Sequence, residues 1–279
     1  QALGATKNKM KSEPLVSVII PLYNAEKYIL KTLESVEKQS YKNIQLIVVN
    51  NSSTDNGLSL VKNFSKKFKN IKIITIETNS GGPAKPRNLG IDASQGEYLA
   101  FLDSDDVWHK EKLERQISIM VDNDYNFTST GRFFIDENGK VFDKYKPNLT
   151  GKVKFYGVKS LLLTNTIVTS SVIVKRELIG TMRFDEAKNL IAAEDYFLWL
   201  SLLNLPECHF VELLDKIVGY RMLENSLGSN SGKVNLALKG LFASTQFLIE
   251  SKQPGYLPVV LLSNIFRLVK LVLTRNYHF

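Results

Sequence analysis

The sequence contains very little cysteine, since Cys208 is the single thiol among its 279 residues. One thiol cannot form an intrachain disulfide, and it cannot build a zinc cluster on cysteines, so both kinds of scaffold are excluded. The sequence also lacks an uncharged apolar run of about 18 residues, the length that a membrane-spanning helix needs. A secretory signal is absent as well: residues 1–9 are polar, and we expect them to be left from an expression tag, with Met10 as the native start.

What remains is an ordinary globular composition with an excess of positive charge. Hydrophobic residues make up 44% of the chain and charged residues 23%, which excludes disorder and collagen-like repeats for the whole chain. The formal net charge of +8 favours anionic partners: nucleic acid, an anionic membrane surface or a phosphorylated substrate. No helix-turn-helix, zinc or ribonucleoprotein signature is present, so we predict no nucleic-acid partner. We expect a cytoplasmic protein, with the inner face of the plasma membrane as a second location.

The first part of the chain alternates predicted strands and helices. Strands are predicted at 16–20, 44–49, 71–76 and 98–102; they are apolar throughout, and amphipathic helical patterns separate them. Asn24 is the expected N-cap of the first helix. Strands that are apolar on both faces and separated by helices indicate a mostly parallel sheet flanked by helices. We therefore predict the α/β fold class, with a Rossmann-like arrangement.

Beyond the fourth strand the alternation breaks. The patterns predict a helix at 110–121, a strand at 170–174 and a strongly apolar helix at 194–203. Two further helices are predicted at 232–251 and 257–275, separated by Pro254-Gly255.

Polar segments follow three of the predicted strands at the edge where a parallel sheet binds ligands. The sharpest of them is Asp103-Ser104-Asp105-Asp106, which places three carboxylates within four residues. Such carboxylates repel one another unless a cation lies among them, and oxygen ligands of this kind suit Mg²⁺ or Mn²⁺. The alternative is a helix N-terminus whose acids complement the helix dipole, and Asp106 fits that alternative.

The motifs in this order resemble those of the family 2 glycosyltransferases with the GT-A fold. The resemblance covers roughly residues 14–221, and the C-terminal helices carry none of it. It is carried by residues 18–24 (VIIPLYN), 48–55 (VVNNSSTD), 86–90 (PRNLG), 96–108 (GEYLAFLDSDDVW) and 194–200 (EDYFLWL). The resemblance implies an inverting transferase that uses a nucleotide diphosphate sugar and a divalent metal, Mn²⁺ or Mg²⁺.

The resemblance also implies which residues bind the donor and the metal. Asp105 is the first candidate for metal coordination, with Asp103 and Asp106 beside it, and the metal would bridge the donor diphosphate. The residues implied in binding the nucleotide sugar are Pro21, Tyr23, Asn24, Asn50, Asn51, Arg87, Asp103, Ser104, Asp105 and Arg221.

The pair Glu194-Asp195 is implied on the acceptor side. Asp195 matches the family's catalytic base, which removes the proton of the attacking hydroxyl, and Glu194 is expected to bind the acceptor. The alternative for both is a helix N-terminus that carries acids. Trp108 is a second acceptor-binding candidate, because its ring could stack on a sugar; the alternative is that it packs the base of the following helix.

One motif departs from the family pattern, because Asn50-Asn51 stands where two aspartates are usual. An amide oxygen can still accept the bond that a uracil N3–H donates, but the amide also donates. We predict a hexose or N-acetylhexosamine donor, UDP-linked before other bases, and a saccharide or lipid-linked saccharide acceptor. The expected pathway is surface polysaccharide, lipopolysaccharide or capsule assembly. The alternative function is a non-catalytic module that binds sugar nucleotides or glycans on the same fold.

The domain organisation follows from these assignments. We predict a catalytic domain at 10–225, with a nucleotide-sugar half at 10–106 and an acceptor half at 107–225, and a C-terminal helical extension at 226–279. The last helix carries a polar stripe that includes basic residues on a broad apolar surface, which is typical of helices at a membrane interface or at a packed contact. We predict that the C-terminal helices contact a membrane surface or a second subunit.

Overall fold

A computed structural model describes residues 13–142, 146–223 and 232–274. The expected tag remnant, 1–9, lies outside the described residues. The strands are β1 Val16–Leu22, β2 Ile44–Asn50, β3 Ile71–Thr75, β4 Tyr98–Phe101, β5 Val107–Trp108, β6 Phe127–Ile135, β7 Val153–Lys154, β8 Ile173–Lys175 and β9 Phe210–Arg221. The helices are α1 Ile29–Glu37, α2 Gly57–Ser65, α3 Ala84–Ala93, α4 Lys112–Asn123, α5 Val158–Leu163, α6 Arg176–Ile179, α7 Glu194–Leu203, α8 Gly232–Glu250 and α9 Leu257–Thr274.

The described strands form one nine-stranded sheet in the order β3-β2-β1-β4-β8-β6-β9-β5, with β7 on β9. Strands β1 to β4 pair in parallel, and so do β6 and β9. The short strand β8 is antiparallel to both β4 and β6, and β5 and β7 run antiparallel to β9. The predicted α/β class with a mostly parallel sheet is confirmed. Strands from both predicted halves contribute to the same sheet, and the domain boundaries themselves stay a prediction.

Helices cover the two faces of the sheet because β1 points alternate side chains to opposite sides. Val18 and Ile20 pack with α1, α2 and α4 in one apolar cluster. Ile19, between them, belongs to the other cluster, which contains residues from α3, α5 and α7. The C-terminal helices join this second cluster through buried side chains such as Phe247 and Val260.

Two predicted elements differ from the structure. Helix α1 begins at Ile29 rather than after Asn24, because Asn24 adopts a left-handed φ of 45° and its side chain bonds to the next loop instead. The predicted strand at 170–174 begins only at Ile173, since Thr169–Ser171 forms a single 3₁₀ turn. Both differences lie at the edge of the sheet where polar side chains gather.

Helix α3 lies very close to β1 at Gly90. A Cβ added there would come within 2.3 Å of Ile19 Cγ2, which is too short for two carbon atoms that are not bonded to each other. The absence of a side chain at Gly90 therefore sets the position of α3 against the sheet.

We expect Gly90→Ala to destabilise the protein by about 1–3 kcal/mol, because the added methyl group forces α3 away from β1. The matched control is Gly240→Ala in α8, where an added Cβ meets nothing within 4 Å. That control should stabilise its helix by about 0.5–1 kcal/mol. Urea unfolding of both variants measures the difference, and equal stabilities would contradict the tight contact.

Candidate active site

A cleft of ≈ 540 Å³ opens at the carboxyl ends of β1, β2 and β4, where an open parallel sheet binds its ligands. Its volume is within the range of small-molecule and cofactor sites. Most residues predicted to bind the nucleotide sugar line it, and loop 79–83 closes one side. The lining residues are Pro21, Leu22, Tyr23, Asn24, Asn51, Asn79, Gly81, Gly82, Pro83, Pro86, Arg87, Asp103, Ser104, Asp105, Asp106, Tyr220 and Arg221.

Side chains from the loops after β1 and β2 fasten these loops to each other. Asn24 Oδ1 accepts a hydrogen bond from the Thr54 backbone N–H at 2.8 Å. The Glu26 N–H donates to Asp55 Oδ2 at 2.8 Å, and the Asn56 N–H donates to Glu26 Oε2 at 2.9 Å. Tyr23 is left half-exposed at the cleft. The two loops therefore form a fixed wall from which the Tyr23 ring projects.

The two asparagines that replace the usual aspartates are both buried. Asn51 Oδ1 accepts bonds from the Ser80 N–H and hydroxyl at 3.0 and 3.1 Å, and its Nδ2 donates to the Gly82 carbonyl at 3.3 Å. A carboxylate could not make the last bond, because it has no hydrogen to donate. Asn50 accepts a bond from the Ser53 N–H at 3.2 Å and does not line the cleft. Asn51 therefore holds loop 79–83 in place through these three hydrogen bonds.

Asp106 is held by bonds to both of its carboxylate oxygens. Its Oδ2 accepts from the Ser170 hydroxyl at 2.6 Å, and its Oδ1 accepts from the Arg221 backbone N–H at 2.9 Å. Ser170 Oγ in turn accepts from the Asp103 N–H at 3.1 Å. Burial and the neighbouring Asp105 and Asp103 raise the pKa of Asp106 well above its usual value. Asp106 therefore connects the ends of β4 and β9 while it lines the cleft, and its role as a third metal ligand stays a prediction.

Asp103 and Asp105 carry the negative charge that a cation would offset. Burial raises the pKa of Asp105 to about 6, Asp103 adds to the rise, and Arg221 and Arg87 oppose it. Hard divalent cations stabilise carboxylates in such a setting. Among the described residues, no group of three or more His, Cys, Asp or Glu side chains is placed to hold a metal ion. These two aspartates fit a divalent ion that takes its remaining ligands from a bound diphosphate and water.

Arg87 is buried between two carboxylates that come from different elements. Its Nη2 donates to Asp103 Oδ1 at 2.6 Å and its Nη1 donates to Glu194 Oε1 at 2.8 Å. Burial lowers the pKa of Arg87, but Asp103, Glu194 and Asp195 outweigh that effect and raise it above its usual value. Both ends of the guanidinium are thus occupied within the protein. Arg87 lines the cleft as predicted, and its contacts are those of a residue that positions two acids.

Glu194 and Asp195 begin α7, as the helix pattern predicted. Burial and Asp195 raise the pKa of Glu194, while Arg87 lowers it. Asp195 Oδ2 accepts a bond from the Thr169 hydroxyl at 2.6 Å, and its Oδ1 accepts from the Tyr196 N–H at 2.7 Å. Neither acid lines the cleft. Glu194 is nevertheless joined to the cleft through its ion pair with Arg87. Thr169, which bonds to Asp195, directly precedes Ser170, which bonds to Asp106.

Arg221 is fastened to backbone carbonyls near the cleft. Its Nε donates to the Asp105 carbonyl at 2.7 Å, and its Nη1 donates to the carbonyls of Asp136 and Glu137 at 2.8 and 3.0 Å. The guanidinium also lies over the Tyr28 ring, 4.8 Å from its centroid. Its Nη2 is buried and has no hydrogen-bond partner among the described residues.

Trp108 does not offer a surface to a sugar, and this part of the acceptor prediction is wrong. The residue is only 4% exposed, and its Nε1 donates to the Ser170 carbonyl at 2.7 Å. The Lys112 Nζ lies 4.0 Å from the ring centroid and covers a face of the indole. The alternative stated for Trp108, packing beside the following helix, is the one that the structure supports.

Sequence reasoning missed two groups of residues at the site. Thr169 and Ser170 bond to Asp195 and Asp106, and loop 79–83 lines the cleft. The run of hydroxyl residues at 169–171 and the Ser80-Gly81-Gly82-Pro83 turn signal are both visible in the sequence. Neither pattern indicates the site by itself, because the first is typical of a strand and the second is a turn that carries no acidic or basic side chain.

Comparison with known proteins assigns the chain to a family. The family model described as Glycosyl transferase family 2 matches residues 17–180, more than half of the chain. The chain belongs to glycosyltransferase family 2. TuaG of Bacillus subtilis (strain 168), named as a teichuronic acid biosynthesis glycosyltransferase, is 34% identical over 233 residues, 79% of this chain and 84% of its own.

A second curated relative comes from Escherichia coli. WfgD, named UDP-Glc:alpha-D-GlcNAc-diphosphoundecaprenol beta-1,3-glucosyltransferase, is 35% identical over 219 residues, 78% of this chain and 81% of its own. The family 2 member described here is therefore an enzyme, a glycosyltransferase, and the alternative of a non-catalytic module is set aside.

Solved structures share the fold. TarS of Staphylococcus aureus in complex with UDP has a TM-score of 0.63 at 23% identity, over 87% of this chain and 72% of that chain. The mannosyltransferase PcManGT of Pyrobaculum calidifontis, in complex with GDP-Man and Mn²⁺, has a TM-score of 0.64 at 14% identity, over 96% and 77%. The predicted GT-A fold is confirmed.

We expect Arg87→Met to destabilise the enzyme by about 3–5 kcal/mol, because it leaves the buried Glu194 carboxylate without its cation. Loss of Arg87 also removes the effect that lowers the Glu194 pKa, so this pKa rises further. Protonation then relieves the penalty at acid pH, and the destabilisation should be larger near about pH 8 than near about pH 5. Denaturant unfolding at both values measures it.

The control for this prediction is Arg183→Met, which breaks a solvent-exposed pair with Asp92. That change should cost about 0–1 kcal/mol at either pH. A loss of stability at Arg87 no greater than that at Arg183 would mean that the buried pair does not hold the site together.

Proposed function

We propose that this glycosyltransferase transfers a hexose or N-acetylhexosamine from a UDP-linked donor to a lipid-linked saccharide, with inversion and with a divalent metal. The pathway is surface polysaccharide assembly. The observation that carries the proposal is the Arg87 bridge, because it links Asp103 in the donor cleft to Glu194, the neighbour of Asp195. Relatives that are named for teichuronic acid biosynthesis and for transfer of glucose to a diphosphoundecaprenol-linked sugar support the choice of pathway and acceptor.

The donor would lie in the cleft, with its diphosphate toward Asp103 and Asp105. A divalent ion, Mn²⁺ or Mg²⁺, would neutralise the charge of the departing diphosphate. The unpartnered Nη2 of Arg221 is a further positive donor for a phosphate oxygen. Tyr23 offers an exposed ring at the same cleft, suited to stacking on the nucleotide base.

The transfer itself needs a single base. Asp195 would take the proton of the acceptor hydroxyl as that oxygen attacks the anomeric carbon from the face opposite the diphosphate. The bond from the anomeric carbon to the diphosphate oxygen breaks, and UDP leaves with the bonding electrons. One displacement inverts the anomeric configuration. The Thr169 hydroxyl, 2.6 Å from Asp195 Oδ2, would hold the carboxylate in place for the proton transfer.

We expect Asp195→Asn to reduce kcat by about 100-fold or more, because the amide cannot accept the proton. The assay measures UDP release from UDP-sugars with α-D-GlcNAc-diphosphoundecaprenol as acceptor. Binding of UDP by calorimetry should be unchanged, since Asp195 does not line the cleft. The control Asp122→Asn changes an exposed carboxylate on α4 and should leave both values unchanged. Turnover of Asp195→Asn close to that of the wild type would refute the assignment of the base.

Asp105 can be tested by ligand binding alone. UDP with MnCl₂ should raise the Tm of the wild type more than UDP with EDTA does, because a ligand of the folded state stabilises it. In Asp105→Asn the Mn²⁺-dependent part of this increase should disappear while the protein remains folded. Asp92→Asn, on the surface of α3, is the control and should respond like the wild type. An undiminished Mn²⁺ response in Asp105→Asn would show that Asp105 does not bind the metal.

A further inference from the structure

The two C-terminal helices expose a row of large apolar side chains, which we call the apolar face. On α9, Phe266 is 73% exposed and Leu262 is 67% exposed; on α8, Ile249 is 67% exposed. Exposed apolar residues of this size, grouped on neighbouring helices, mark a surface that binds a partner. The apolar face consists of Leu238, Phe242, Ile249, Leu262, Ile265 and Phe266.

This exposure is not a failure of the helices to pack. The inner side of α9 buries Val260 and Asn264, and the inner side of α8 buries Phe247 and Leu248 within the core cluster around α7. The helices are therefore held by one side, and the spacing of Leu262, Ile265 and Phe266 places them on the other. The apolar face is an additional surface on a helix pair that is already docked.

Charge distinguishes between the possible occupants of the apolar face. After Glu250 the sequence has no acidic residue, while Lys252, Arg267, Lys270 and Arg275 follow. A symmetric contact between two copies would bring these basic segments together with Glu250 as the single acidic residue of α8 and α9 to pair them. An anionic lipid surface supplies the missing negative charge and accepts the apolar side chains beneath its headgroups.

The apolar face is also connected to the acceptor side of the site. Lys239 of α8 donates a hydrogen bond to the Ile191 carbonyl at 2.6 Å, three residues before Glu194 in the chain. The Ile191 side chain lies 3.5 Å from the position of a Cβ on Gly82 in the cleft wall. Helix α8 thus borders the segment that leads into the acidic pair.

We propose that the apolar face binds the surface of an anionic bilayer, with α9 lying in the interface. Over the ranges that the structure describes, no helix combines the length and the apolar character needed to cross a membrane. The proposal that the apolar face binds a bilayer does not depend on the proposed function. The additional proposal, that this binding brings the acceptor side of the site to a lipid-linked substrate, rests on the proposed function.

Flotation of the full chain with vesicles tests the proposal. We expect binding to phosphatidylcholine vesicles that contain about one third phosphatidylglycerol, weaker binding without the anionic lipid, and a loss of affinity at about 0.5 M NaCl. The double variant Leu262→Ser/Phe266→Ser should lose about tenfold or more in vesicle affinity, because two large side chains no longer enter the lipid. Its rate of UDP release with a water-soluble acceptor should match that of the wild type.

The control is Leu30→Ser, which removes an exposed apolar side chain from α1 on the opposite layer and should bind vesicles like the wild type. Light scattering measures the oligomeric state and so tests whether a second copy of the chain, rather than lipid, covers the apolar face. A dimer that dissociates in the Leu262→Ser/Phe266→Ser variant, with no vesicle binding by the wild type, would overturn the proposal in favour of a second copy. Equal vesicle affinity for the wild type and the double variant would also overturn it. Neither result depends on the enzyme being active, so a wrong acceptor would be recognised separately.

Discussion

The guanidinium of Arg87 lies between two carboxylates, and the geometry of the whole site depends on this pair of contacts. Asp103 follows β4 at the cleft, and Glu194 begins the helix that carries the candidate base. Arg87 and Glu194 would each be costly to bury alone, and they are tolerated together because each charge has a partner. Helix α3, which carries Arg87, is in turn set by its contact with β1 at Gly90. Backbone packing and charge pairing thus position the same site.

Most of the other polar side chains around the cleft already make hydrogen bonds within the protein. Asn24 and Asn51 each accept a bond from a backbone N–H of another loop, and Asp106 accepts one from the end of β9, so they stabilise the walls before any ligand arrives. Among the described residues at the cleft, the Nη2 of Arg221 is a buried donor without a hydrogen-bond partner. A site built in this way reduces the ordering that substrate binding would otherwise require.

The sequence predicts those features of the fold and site that depend on a single strand, helix or loop. It does not predict the contacts that form where two elements distant in the chain meet. Apolar strands followed by polar segments predicted the sheet and the edge at which Asp103 and Asp105 lie. The burial of Trp108 and the double bonding of Asp106 depend on Ser170, whose position is decided by how β8 enters the sheet. No local pattern reports that placement. The same holds for Arg87, whose partner Glu194 is 107 residues away in the chain.

The placement of β8 between β4 and β6 has a consequence for the order in which the molecule folds. The parallel strands β1 to β4 come from a continuous stretch and can associate early, whereas β8 and β9 are delivered much later along the chain. Asp106 finds its two partners 64 and 115 residues downstream. During synthesis the acidic segment therefore lacks its full set of bonds until β9 has emerged from the ribosome. A nascent or truncated chain thus holds β1 to β4 without the bonds that fix the acidic segment, and the full geometry of the site needs the complete sheet.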